Sequence, residues 1–143
     1  MSAVGLESFE HSVQLTHIWI NELDERLGWD NKARSYRLLR AVLHAVRDWL
    51  QISEAADLGA QMPMLLRGAY YDQWRPARNP AKPRGKAEFV GRIEEAFRQE
   101  PLDDPDQAVA AVFALLSAKI SPGEIEDVRR SLPSDIRALW QTE

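Results

Sequence analysis

One pattern of charged residues occurs twice in the sequence, and its side chains are the best candidates for acid–base chemistry or for ion pairing. They are Glu54, Asp57 and Arg67, then Glu124, Asp127 and Arg137. A glutamate and an aspartate three positions apart share one helix face, and an arginine four residues after a helix-breaking proline can fold back to bind them bidentately. Because the pattern occurs twice, we interpret each set as a structural clasp between two short helices. A paired-carboxylate site for acid–base catalysis is the functional alternative.

A proline-rich stretch at residues 72–85 is the second candidate, because aromatic and basic side chains are mixed in and around it. The candidate ligand or partner surface comprises Tyr70, Tyr71, Trp74, Arg75, Arg78 and Arg84. Aromatic rings stack on bases and cations neutralise phosphates, so this mixture suits a single-stranded nucleic acid or another polyanion. Alternatively, the aromatics anchor the stretch to the core while the cations stay solvated. A protein partner that is acidic or proline-binding is the third possibility.

The charge distribution argues against nucleic-acid binding by the protein as a whole. The net charge is -4, and an acidic protein does not attract nucleic acid, although a local basic patch can. Residues 72–86 form such a patch, with five basic side chains and only Asp72 against them. The second helix is also basic, and Arg40, His44 and Arg47 share one of its faces. We expect this face to pair with acids of the first helix, or to meet an anion.

Most catalytic and cofactor motifs are missing from the sequence. With no cysteine, disulfides, cysteine zinc sites and thiol catalysis are excluded. The three histidines form no Glu-x-x-His pair, and no P-loop or dinucleotide-binding fingerprint occurs. We therefore expect no catalytic, cofactor-binding or metal-binding residues and no cofactor. An enzyme with a cleft that holds Glu54, Asp57 or His44 is a minor alternative.

Helical spacing of apolar residues dominates the chain, which predicts an all-α fold. One stripe runs from Val13 to Leu27, and Gly28 ends that helix. A second long helix spans residues 32–50. We expect Ser53 to cap a short helix and Pro63 to start another, which ends near Tyr71.

The same helical pattern returns 70 residues later without a gap. Ile20 aligns with Val90, Leu43 with Phe113, and further pairs continue to residue 140. This predicts one domain over residues 1–143, built from two long-long-short-short repeats at about 9–71 and 86–140, with a linker at 72–85. A half of about 54 residues has a marginal core, so we expect the halves to pack about an approximate two-fold axis.

Oxygen caps mark two helix starts in the second repeat. Asp104 and Ser121 each precede a proline, and Gln107 and Glu124 follow three residues after their caps. This is the arrangement of a capping box with proline at the first helical position. We expect helices to begin at both places.

Several segments resemble a known family. They are Ala41-Val42-Leu43-His44-Ala45-Val46-Arg47-Asp48, then Met62-Pro63-Met64-Leu65-Leu66-Arg67-Gly68-Ala69-Tyr70-Tyr71, and Ile120-Ser121-Pro122-Gly123-Glu124-Ile125-Glu126-Asp127-Val128 followed by Leu132-Pro133. With them the chain resembles the uncharacterised bacterial domain-of-unknown-function family 2267 from about Phe9 to Trp140. The resemblance implies a small, helical, cytoplasmic protein, and it carries over no catalytic residues.

The function that these observations favour is a non-catalytic protein-interaction or regulatory module. An anion or nucleic-acid binder that uses the basic-aromatic linker is the alternative. We expect a cytoplasmic location and no membrane association, because no signal peptide and no apolar stretch of about 20 residues is present.

Overall fold

The computed structural model describes the backbone of residues 2–141 and the side chains of residues 5–141. Within that range the fold contains α-helices and no strand, which confirms the all-α prediction. The helices are α1 (Ser2–Leu27), α2 (Lys32–Trp49), α3 (Ile52–Ala60), α4 (Met64–Tyr71), α5 (Lys86–Glu94), α6 (Pro105–Lys119), α7 (Pro122–Ser131) and α8 (Ser134–Arg137). Short 3-10 turns lie at Pro76–Arg78 and Glu95–Phe97.

The predicted caps explain where several helices begin and end. Gly28 has a φ of 67°, a left-handed conformation that glycine adopts readily, and it ends α1. In the second repeat, Asp104 accepts a hydrogen bond from Gln107 N and Ser121 accepts one from Glu124 N. The starts of α6 and α7 are therefore confirmed.

The short helices of the first repeat begin differently from the prediction. Helix α3 begins at Ile52 after Gln51, so Ser53 lies inside its first turn and is not the cap. Pro63 is the residue before α4 rather than its first residue. The free amide of Leu65 instead donates to Ser12 Oγ of α1, at 2.7 Å. A hydroxyl that is distant in sequence thus supplies the cap that the local sequence lacks.

Buried apolar residues from both repeats form one hydrophobic cluster. Helix α2 packs against α1, α4, α5 and α6, and α3 packs against α7. Aromatic rings fill the centre: Trp49 meets Phe89 edge-on at 5.4 Å between ring centroids, and Phe113 stacks on Trp140 at 4.2 Å. Because each repeat alone would expose part of this cluster, burial in the shared core stabilises the two together.

Several positions that lie 70 residues apart have matching environments. Leu66 and Ile136 are fully buried, and so are Tyr70 and Trp140 to within 1%. The approximate two-fold axis and the repeat boundaries stay predictions. Helix α5 begins at Lys86, so the part of α1 before residue 16 has no counterpart in the second repeat.

That unmatched part of α1 contradicts one detail of the predicted stripe. Val13 is 41% exposed, and Phe9 one turn before it is 60% exposed. Thr16 of the stripe faces the interior as predicted, Ser12 does so as well, and Thr16 Oγ1 donates to Ser12 O. In the described residues, no helix combines the length and the apolar character that crossing a membrane requires.

Candidate functional site: an arginine-lined cleft beside the linker

The two repeated arginines do clasp neighbouring short helices, but they bind carbonyl oxygens rather than carboxylates. Arg67 Nε donates to Gly59 O at 3.0 Å, and its guanidinium also reaches Met62 O at 2.9 Å. Arg137 makes the equivalent bonds to Arg129 O and Leu132 O, both at 2.9 Å. The predicted arginine–carboxylate pairing is therefore wrong, although the two arginines make equivalent hydrogen bonds.

Helix polarity explains the difference. The last carbonyls of a helix have no intrahelical donors and carry the negative end of the helix dipole. The turn after α3 brings Arg67 to that end, whereas Glu54 lies in the first turn, roughly 8 Å away along the axis. The guanidinium therefore caps the nearer carbonyls. Glu54 and Asp57 are left outside the clasp, as are Glu124 and Asp127.

The acids that the arginines leave unpaired meet each other where α3 packs on α7. Carboxylate oxygens of Glu54, Asp57 and Glu124 lie within 4.8 Å of one another. One oxygen of Glu54 and one of Glu124 are buried and accept no hydrogen bond from an N–H or hydroxyl group. Among the described residues, this trio is the group that offers three ligand atoms to one metal ion.

Burial and proximity to the other acids raise the pKa of Glu124. Burial, a hydrogen bond with Glu54 and the charges of nearby carboxylates raise the pKa of Glu124 to about 8. At neutral pH a protonated Glu124 can thus donate to Glu54. A proton on Glu124 would allow one hydrogen bond between α3 and α7 where the two carboxylates face each other.

The linker is folded against the end of α2. Asn79 Nδ2 donates to Arg47 O and Leu50 O, at 2.6 and 2.8 Å, and so satisfies the last carbonyls of α2. Ala81 N donates to Asp48 O at 2.9 Å. Trp74 Nε1 donates to Asn79 Oδ1 and fixes the orientation of that amide. These bonds give the linker a defined path.

The aromatic residues of the candidate surface are used inside the protein. Tyr70 is fully buried and its hydroxyl donates to Ala55 O at 2.7 Å. Tyr71 stacks on Trp74 with ring centroids 5.5 Å apart, and Trp74 packs against the core. These rings therefore anchor the linker to the core, which is the alternative interpretation of the sequence. Tyr70 in particular does not belong to a ligand surface.

Arg84 is also removed from the candidate surface. Its guanidinium donates to Trp49 O at 2.8 Å and to Ser131 O at 3.1 Å, and its own carbonyl accepts from Trp49 Nε1. This reciprocal contact ties the linker to α2 and to the end of α7. Arg84 therefore positions the chain and is not available to a ligand.

Arg75 and Arg78, in contrast, are exposed and line a cavity of about 210 Å³. Arg47 of α2 and Arg92 of α5 complete its basic lining, and Asp48 is the one acid among the described residues that line it. Asp48 already accepts from Arg47 Nε at 2.8 Å and from Arg92 at 2.9 Å. Within residues 5–141, Arg75 and Arg78 form no ion pair. We call this cavity the arginine cleft.

The basic face of α2 contacts the end of α4 and the start of the linker instead of pairing with α1. Arg40 binds Asp72 at 2.9 Å, and the Nε2–H of His44 donates to Ala69 O at 2.7 Å. Arg47 is 4% exposed and donates to Tyr70 O and to Asp72 O. The expected pairing with acids of the first helix is wrong, because the carbonyl end of α4 and the linker lie over this face.

The protonation state of His44 follows from the same contacts. Burial lowers its pKa most, and the charges of Arg47 and Arg40 lower it further. The hydrogen bond with Ala69 O opposes this shift only in part. His44 is therefore neutral near pH 7 and holds α4 in place as a hydrogen-bond donor.

Sequence reasoning missed two of the four arginines of the cleft. Arg92 lies 44 positions from Asp48, the acid that orients it, and no local pattern connects the two. Arg47 was recognised only as a member of a basic helix face. Folding the linker over α2 and α5 is what brings these side chains to Arg75 and Arg78.

Comparison with known proteins places the chain in a family without assigning it an activity. No curated protein matches it. A family model described as "Uncharacterized conserved protein (DUF2267)" matches residues 16–139. The chain is thus a member of the DUF2267 family.

Proposed function

We propose that this protein is a non-catalytic interaction module that binds an acidic segment of a partner protein at its linker face. We define the linker face as the exposed basic side chains around the arginine cleft: Arg75, Arg78, Lys82 and Arg92. The arginine cleft is the observation that carries the proposal. Its charges remain in excess after Asp48 is paired, so an anionic ligand is attracted to it.

The aromatic residues favour a protein ligand over a single-stranded nucleic acid. Nucleic-acid binders without sequence preference stack bases on exposed rings. Here Tyr70 is buried, and Tyr71 and Trp74 stack on each other. The linker face therefore offers charge and hydrogen-bond donors but no free stacking platform.

A direct binding measurement tests this proposal. We expect a fluorescently labelled peptide of about ten glutamates to bind in low salt and to lose affinity as salt increases, because rim charges act through screened attraction. The double variant Arg75→Gln/Arg78→Gln should weaken binding at least about tenfold. Arg98→Gln, at another exposed arginine, is the matched control and should bind as the wild type does.

Two results would count against the proposal. One is equal peptide affinity for the wild type and the double variant. The other is preferential binding of a single-stranded oligonucleotide of the same charge, which would favour the nucleic-acid alternative. Circular dichroism of each variant verifies that the fold is intact.

A further inference from the structure

The arrangement of charges in the arginine cleft points to a more specific ligand. We propose that the cleft is a binding site for a phosphomonoester dianion, held by Arg75, Arg78 and Arg92 with Arg47 at its base. This proposal rests on the proposed interaction function and specifies the chemical group that the linker face recognises.

Convergence of like charges is the first argument. Four arginines line one cavity of about 210 Å³, and Asp48, the one acid among its described lining residues, already accepts from two of them. Bringing cations together without counter-charges opposes folding. A bound dianion removes that repulsion, whereas a single carboxylate removes only part of it.

The cleft is also partly prearranged, which lowers the cost of binding. Arg92 is held by Asp48 and lies over the Trp49 ring, with its guanidinium carbon 5.2 Å from the ring centroid. Arg47 is fixed by bonds to Tyr70 O and Asp72 O. These two side chains have little freedom left to lose when a ligand arrives.

The remaining two arginines are free to close on the ligand. Arg75 directly precedes the 3-10 turn Pro76–Arg78 and Arg78 ends it, and the bonds of Asn79 hold that turn to α2. A guanidinium presents parallel N–H groups that match the oxygens of a phosphoryl group. Recognition of phosphorylated segments by arginine clusters uses the same chemistry.

The surroundings of the cleft leave room for the molecule that carries the phosphoryl group. A wider groove of about 490 Å³ continues from the cleft along residues 77–82, with Arg78 and Arg92 lining both. A peptide could therefore lie in the groove while its phosphorylated side chain enters the cleft. A small phosphomonoester would occupy the cleft alone.

Isothermal titration calorimetry with matched ligands tests the proposal. The three probes are a peptide with one phosphoserine, the same peptide with two glutamates that supply equal charge, and free phosphoserine. We expect the phosphopeptide to bind at least about tenfold more tightly than the glutamate peptide, since bidentate bonds to phosphate add to charge attraction. Arg75→Gln, Arg78→Gln and Arg92→Gln should each remove most of that preference, and Arg98→Gln should not.

The outcomes distinguish the phosphate site from the more general function of binding an acidic partner. Equal affinity for both peptides would overturn the phosphate assignment and leave the acidic-partner function intact. Free phosphoserine that binds as tightly as the phosphopeptide would support the site but contradict the protein-interaction function. No binding of any probe in low salt would overturn both.

Discussion

Stability should depend on pH through the carboxyl pair between the repeats, and Glu124→Gln is the substitution that reveals it. The glutamine amide can donate to Glu54 at every pH, whereas Glu124 needs a proton to do so. Burial first, and then the neighbouring carboxylates, raise the pKa of Glu124 from 4.5 to about 8 in the folded protein. The folded state therefore binds this proton more tightly than the unfolded state does.

The sign and size of the effect follow from linkage. A raised carboxyl pKa contributes stability that is fully present below about pH 4.5 and is lost as the pH rises to about 8. One pKa unit corresponds to about 1.4 kcal/mol, which sets a ceiling of about 5 kcal/mol. Because Glu124 is partly exposed and the side chains can separate, we expect roughly 2 kcal/mol after allowing for solvent screening.

Urea denaturation between pH 5 and pH 9 measures this effect as a difference between two proteins. The free energy of unfolding of Glu124→Gln minus that of the wild type should rise by roughly 2 kcal/mol across this range. Taking the difference cancels the titration of groups that do not interact with Glu124. Glu95→Gln, at an exposed glutamate in the turn after α5, is the control and should give a flat difference. Chelator in all buffers keeps divalent cations from replacing the proton.

A pH-independent difference for Glu124→Gln would refute this reasoning. It would mean that Glu124 and Glu54 separate in solution and that each carboxylate is hydrated. A difference that falls with pH would contradict even the sign. The double variant with Glu54→Gln distinguishes the pair from the single residue, because its stability should have little pH dependence from this site.

Three other substitutions test the contacts that hold the short helices and the linker. Arg67→Ala should lower the free energy of unfolding by about 2 kcal/mol, because carbonyls at the end of α3 lose charge-assisted hydrogen bonds. Equal melting temperatures for Arg67→Ala and Arg78→Ala would contradict the clasp. Gly59→Ala should lower the free energy of unfolding, measured by urea denaturation, by about 1–3 kcal/mol, although alanine has a better helix propensity than glycine. The reason is that an added Cβ would lie 2.5 Å from the Tyr71 hydroxyl. Asn79→Ala should lower the free energy of unfolding by about 1–3 kcal/mol, because the carbonyls at the end of α2 lose their hydrogen bonds to this side chain. Trypsin should then cleave the linker faster, and unchanged cleavage would argue against the anchoring function of Asn79.

Local sequence determined the helices because their signals are short-range. Apolar spacing, the glycine after α1 and the oxygen caps at Asp104 and Ser121 each act within a few residues. The recurrence after 70 residues also predicted that Arg67 and Arg137 have the same environment, and their hydrogen bonds match. The resemblance to the family was also visible in the sequence, because it rests on continuous segments of the chain.

Tertiary structure decided which partners the charged and aromatic side chains meet. The sequence placed Glu54 and Asp57 on one face, but only the packing of α3 on α7 brought Glu124 to them. Tyr70 and Arg84 were expected on a ligand surface, and both are used within the fold. Such contacts join residues from 15 to 70 positions apart, and no local pattern encodes them.

The arginine cleft shows this division most clearly. Arg75 and Arg78 were identified from the sequence because they are close together in a basic, proline-rich stretch. Arg92 and Arg47 join them only after the linker has folded over α2 and α5. Helix formation depends on neighbours in sequence, whereas the position of a long charged side chain depends on which carbonyls, acids and rings surround it in the folded protein.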